Sequence, residues 1–128
     1  PKTYEECCEA LGIDVSRTIG HSEDLPFYRD VTCYENNLLS RLTVLRKLLI
    51  CRDAYRKIAG ERMGSGKPWE PDWLNDEQDK YVLFTHNNAI CSNRYVLGHY
   101  IVAFPIGEMR DAFYENFKEL IETVKELL

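Results

Sequence analysis

The residue types in this chain best suited to chemistry are His86, Cys91 and His99, which fall near the ends of segments that read as strands. Imidazole nitrogen and thiolate sulfur are the donors that Zn²⁺ gathers in a tetrahedral array. Their spacing matches no standard ligand pattern, and strand-end His and Cys more commonly sit solvated or packed. A Cys–His nucleophile is a second possibility, with Cys91 beside His86 or His99 and Asn88 orienting the base. The thiolate would need an electropositive, partly exposed niche, for which Arg94 is the nearest helper. The pattern around Cys91 shows no nucleophile-bearing turn, so the sequence assigns no catalytic residue, metal ligand or cofactor.

Binding is the broader alternative. Trp69, Trp73, Tyr81, Tyr95 and Tyr100 could form an aromatic surface for a peptide, sugar or base. Trp residues in such a loop more often fold it down as a lid over the core. Arg41, Arg52 and Arg56 share one side of a long predicted helix with Leu38 and Leu45. They could hold an anion or a partner. The blander reading makes Arg52 a structural ion pair with a loop acid such as Asp72, its stem packed on the core. The binding residues the sequence singles out are thus Arg52, Arg56, Trp69, Trp73 and Tyr81. Asp72, Asp76, Glu77 and Asp79 lack the ligand positions and central Gly of a calcium loop and read as a solvated charge run. With Arg46, Lys47 and Lys57, the arginines make the helix locally basic. These charges spread around the helix, which disfavours nucleic-acid binding.

The elements that must position these residues follow from periodicity and punctuation. Thr3 and Glu6 form a capping box. Tyr4, Cys7, Cys8 and Leu11 then recur on one helical face, and Gly12 stops the helix. A polar connector runs from Asp14 to about Asp24. Pro26 can open a second helix that reaches about Ala59, with Gly60 as its stop and a bend near Asn36-Asn37. Leu38, Leu42, Leu45 and Leu49 form its apolar stripe. Gly64 to Asp79 reads as loop, with Pro68 and Pro71 keeping their predecessors extended. Lys80–Thr85 is a strand by its Tyr, Val and Phe content. His86-Asn-Asn88 is a turn, Ala89–Cys91 a short strand, Ser92–Arg94 a second turn and His99–Phe104 a third strand. A last helix from Gly107 to the C-terminus carries Met109, Phe113, Phe117, Leu120, Val124 and Leu127 as a core stripe. The expected fold is one α+β domain over 1–128. It has three helices, two N-terminal and one C-terminal, packed on a three-stranded antiparallel sheet in the order α-α-β-β-β-α. A meander is the economical sheet.

A chain of 128 residues with 45% hydrophobic and 29% charged residues has the composition of one globular domain. Its net charge of -5 argues against generic phosphate binding. No apolar run approaches the roughly 20 residues of a membrane helix. The five cysteines have neither paired nor CxxC spacing, which fits reduced thiols in a cytoplasm.

The Trp69-x-Pro71-Asp72-Trp73-x-Asn75 loop leads to Lys80-Tyr81 at the head of a strand. A later strand ends in Phe104, before a helix with Phe113 and Phe117. Together with the Tyr4-to-Gly12 helix and the Leu/Ile/Arg-rich second helix, this order resembles a group of small uncharacterised proteins from bacteriophages and prophages of gut bacteria. The group carries a longer Gly/Tyr-rich segment between strands and a Ser where this chain has Gly107. The resemblance covers most of the chain and brings no activity with it. It implies a phage- or prophage-related accessory protein of the bacterial host cytoplasm that binds a protein partner. The alternatives are a metal- or Cys/His-dependent enzyme at His86, Cys91 and His99, and nucleic-acid binding through the second helix.

Overall fold

The computed structural model describes residues 1–15 and 33–128, with side chains described from residue 39 onward in the second stretch. Helix α1 spans Tyr4–Leu11. The Glu6 amide donates to Thr3 Oγ1 at 3.2 Å, as the capping pattern requires. The Glu6 carboxylate reaches one residue further back than expected and accepts from the Lys2 amide at 2.6 Å. Gly12 ends the helix in the left-handed region, at φ 70°.

Helix α2 spans Cys33–Arg62. The predicted connector after Val15 and the predicted start at Pro26 lie outside the described residues. The backbone stays helical through Asn36-Asn37, where the sequence suggests a bend. It also runs past Gly60 to Arg62, so Gly60 is no helix stop. Its lack of a side chain serves a different purpose. A Cβ on Gly60 would lie 1.8 Å from the Lys67 carbonyl oxygen, so only glycine lets the following loop fold back this tightly.

The sheet has three antiparallel strands, β1 (Lys80–His86), β2 (Ala89–Tyr95) and β3 (Val102–Phe104). β1 lies in the centre, in the order β2-β1-β3, so the sheet is not a meander. Asn87 and Asn88 both take positive φ, 51° and 61°, in the two-residue turn joining β1 to β2. That geometry matches the twist of a tight hairpin and suits asparagine. Ser92–Arg94, expected to turn, continues β2, because full cross-strand pairing with β1 outweighs the poor strand propensity of Ser and Asn. The predicted strand from His99 shrinks to Val102–Phe104.

The last helix divides in two, so that four α-helices fall among the described residues where three are expected for the chain. α3 spans Gly107–Asn116 and α4 spans Lys118–Val124, followed by a 3₁₀ turn at Lys125–Leu127. Phe117 at the joint leaves the helical region, with φ -122° and ψ 25°, yet stays buried. Phe113, Phe117, Ile121 and Val124 are all buried in the core on either side of the break. Tyr55 of α2 meets Phe113 edge-on at 5.2 Å, and Phe104 lies 4.9 Å from Phe113. Such aromatic pairs add about 0.5–1.5 kcal/mol each beyond their buried area. Tyr55 Oη also donates to the Pro1 carbonyl at 2.6 Å and accepts from Asn116 Nδ2 at 2.9 Å.

The sheet's two faces differ. Register puts Tyr81, Leu83, Val102 and Phe104 on the face covered by the helices. Lys80, Val82, Phe84, Ala103 and Tyr95 share the other, which the loops cover.

Gly60→Ala tests the close approach. The Lys67 segment must shift to admit the methyl, and about 1–3 kcal/mol of stability should be lost. Urea unfolding monitored by tryptophan fluorescence measures it; an unchanged midpoint would refute the contact.

Candidate functional site

Among the described residues two cations are buried, and both hold the loop that precedes the sheet. Arg56 of α2 is 9% exposed and Lys80, the first residue of β1, is wholly buried. Arg56 Nε donates to the Ala103 carbonyl at 3.0 Å, and Nη2 lies 3.5 Å from that of Ile101. Burial pushes the Arg56 guanidinium pKa down to about 10, and neighbouring Arg52 adds to the effect. Lys80 Nζ donates to the carbonyls of Asn75, at 2.8 Å, and Val96. Each cation lies against a tryptophan of the loop. The Trp69 ring centre is 5.7 Å from the Arg56 guanidinium, and that of Trp73 is 5.5 Å from the Lys80 ammonium. A desolvated cation–π contact is worth about 2 kcal/mol. The tryptophans therefore hold the loop down as a lid.

Arg52 and Arg56 do further structural work. Successive carbonyls of a strand point to opposite sides, so those of Ile101 and Ala103 both face away from β1. Arg52 Nη1 donates to Ile101 at 2.9 Å, one helical turn from the Arg56 bond to Ala103. Two arginines four residues apart thus cover the open edge of β3, a backbone row that otherwise invites pairing with another chain. The acid partner of Arg52 is adjacent Asp53, at 2.8 Å, and not Asp72. Asp72 Oδ1 instead accepts from the Leu74 amide at 3.1 Å.

The aromatic residues singled out from sequence are divided. Tyr81 lies on the helix-covered face, under the Arg110 guanidinium at 5.6 Å. A Cβ on Gly107 would sit 3.3 Å from its ring, so the glycine there leaves Tyr81 its room. Trp69 is buried against Arg56. Trp73 joins a cluster on the opposite face. Its ring lies 5.8 Å from Tyr100 and 5.9 Å from His99. Tyr100 stacks on Tyr95 at 5.1 Å and 5° and also meets Phe84 at 5.5 Å. Trp73, Phe84, Tyr95 and Tyr100 are each half-buried, and His99 is exposed. Beside them Leu97 is 53% exposed and Leu74 92%. The Lys80 ammonium joins these two segments, since it holds the carbonyls of Asn75 and Val96 together. Sequence could suggest the aromatic residues, but not that Phe84 and His99 belong with them.

His86, Cys91 and His99 do not converge. His99 lies against Trp73, which covers Lys80 at one end of β1. His86 ends β1 about 20 Å away. Among the described residues no group of three His, Cys, Asp or Glu side chains could hold a metal ion. Of the other cysteines whose side chains are described, Cys7, Cys8 and Cys51 lie in the core between α1 and α2. A hydrogen bond between Cys7 and Cys51 holds the Cys7 pKa below the usual thiol value and pushes that of Cys51 up.

The basic charges of α2 are largely engaged within the protein. Arg41 pairs with Glu126 at 3.1 Å, and the Lys47 ammonium lies over the Tyr4 ring. Lys57 donates to the Ala10 carbonyl, and Arg52 and Arg56 are held as described.

Replacing Lys80 by Met should cost about 2 kcal/mol or more, because two buried carbonyls lose their donor. Equilibrium unfolding reads the loss, and a stable Lys80→Met protein would refute the anchoring role. Thiol labelling mapped by peptide mass should modify Cys91 in the native state. Cys7, Cys8 and Cys51 should react only as fast as the protein opens. Equal native rates for Cys7 and Cys91 would contradict the packing of α1 on α2. No protein-family model, curated protein or solved structure matches the chain.

Proposed function

We propose that this is a phage- or prophage-related accessory protein of the bacterial host cytoplasm that acts by binding another protein, without catalysis. The observation that carries the reading is the aromatic face of Trp73, Tyr95, Tyr100 and His99, with Leu97 and Leu74 exposed beside it. Half-exposed aromatic rings beside exposed leucines have the composition of an interface core rather than of ordinary surface. Asp72, Asp76, Glu77 and Asp79 are all exposed on the adjoining loop and give this face an acidic border. The partner it suits presents an apolar or aromatic anchor flanked by Lys or Arg, in keeping with a net charge of -5. Engagement of Arg41, Lys47, Arg52, Arg56 and Lys57 within the protein weighs against the nucleic-acid alternative. The separation of His86 from His99 weighs against the metal alternative.

A tagged pull-down from host lysate, with and without nuclease, tests the reading when run beside Leu97→Asp and Asp76→Lys/Glu77→Lys variants. A stoichiometric protein partner should survive nuclease and be lost with Leu97→Asp. The charge-reversed variant should retain less of it at low salt. Partners that vanish with nuclease, or that bind all variants equally, would overturn the proposal.

A further inference from the structure

We propose that the cleft between α2 and the Trp69 loop binds a small organic carboxylate through Arg56. Arg56 is 9% exposed, yet its acceptors are two neutral carbonyls. A guanidinium carries five N–H donors, and Nη1 of Arg56 has no acceptor among the described residues. Buried charges are ordinarily matched by a counter-charge. The nearest carboxylate on its own helix, Asp53, is taken by Arg52 Nε and Nη2 at 2.9 and 2.8 Å. Asp53 and Glu70 act on Arg56 only through their charge, so Nη1 of this buried guanidinium is left without a hydrogen-bond acceptor among the described residues.

The space beside it can take one. Leu11, Arg52, Asp53, Arg56, Pro68, Trp69 and Glu70 line a cleft of about 300 Å³. That is the lower end of small-molecule sites. A planar guanidinium edge matches a carboxylate in shape and charge. The walls also choose between anions. Asp53 and Glu70 balance Arg52 and Arg56, so the cleft is neutral overall; a monoanion can take the free Nη1 donors at modest electrostatic cost, whereas a dianionic phosphate meets twice the repulsion from the two carboxylates. Leu11, Pro68 and the Trp69 ring offer apolar contact to the rest of the ligand. The class is thus a monocarboxylate with a compact aromatic or branched body. This inference does not rest on the aromatic face around Trp73.

Benzoate and inorganic phosphate, titrated separately at constant ionic strength, test it by ¹H–¹⁵N NMR of the Trp69 indole and the arginine Nε–H signals. Benzoate should shift the Trp69 and Arg56 signals saturably and leave Trp73 little changed. Phosphate should bind at least about tenfold more weakly, the equivalent of one charge-assisted hydrogen bond. Arg56→Lys keeps the charge, loses the fork and should weaken benzoate by about tenfold. Should Arg56→Lys fail to fold, exposed Glu70→Gln decides, because removing that charge should tighten benzoate about threefold. No saturable shift, phosphate binding as tight as benzoate, or unchanged affinity in Glu70→Gln would overturn the assignment.

Discussion

The structure depends on two buried cations that each donate to backbone carbonyls and are covered by a tryptophan. Residues 64–79 form no helix or strand, and a loop of that length could not order itself against its conformational entropy. Arg56 and Lys80 supply the anchors. Hydrogen bonds from a charged donor contribute about 1.5–3 kcal/mol each where the acceptor is otherwise buried. Trp69 adds a direct tie, its amide donating to the Arg56 carbonyl at 2.9 Å. The close passage of Lys67 over Gly60 lets the loop start its return in time to reach those anchors.

The same contacts finish the sheet. β3 has only three residues and would be a weak edge strand alone. Arg52 and Arg56 bond to its outward carbonyls from one face of α2, which fixes the helix against the sheet edge and closes that edge to foreign strands. On the covered face, Tyr55, Phe104, Phe113 and Phe117 interlock helices and sheet. Phe113, Phe117, Ile121 and Val124 all stay buried across the break at Phe117.

The functional reading follows from what this scheme leaves over. Most of the side chains that looked like a basic binding surface, Arg41, Lys47, Arg52, Arg56 and Lys57, are engaged within the protein. The rings of Trp73, Tyr95 and Tyr100 pack on each other while remaining half-open to solvent. They form a rigid apolar face at low entropic cost, since each ring is already held by its neighbours. The cleft at Arg56 is the second leftover, a place where one nitrogen of a buried guanidinium has no acceptor among the described residues.

Local signals in the sequence determined a good deal. The α+β class, the capped first helix with Gly12, the hairpin at Asn87-Asn88, the central strand and the aromatic stripe of Phe113 and Phe117 all follow from rules that act over a few residues. They were legible because those geometries need specific residue types wherever they occur. Tertiary structure decided the rest. The sheet order, with β1 central, depends on pairings between distant strands that periodicity does not encode. The continuation of β2 through Ser92–Arg94 came from ladder pairing with β1, and the local pattern of residues 107–124 carries no signal of the break at Phe117. Arg56 and Lys80 carry the same point furthest. Their types mark them as surface residues, and only the return of the loop, with its carbonyls and tryptophan rings, makes burial the lower free energy.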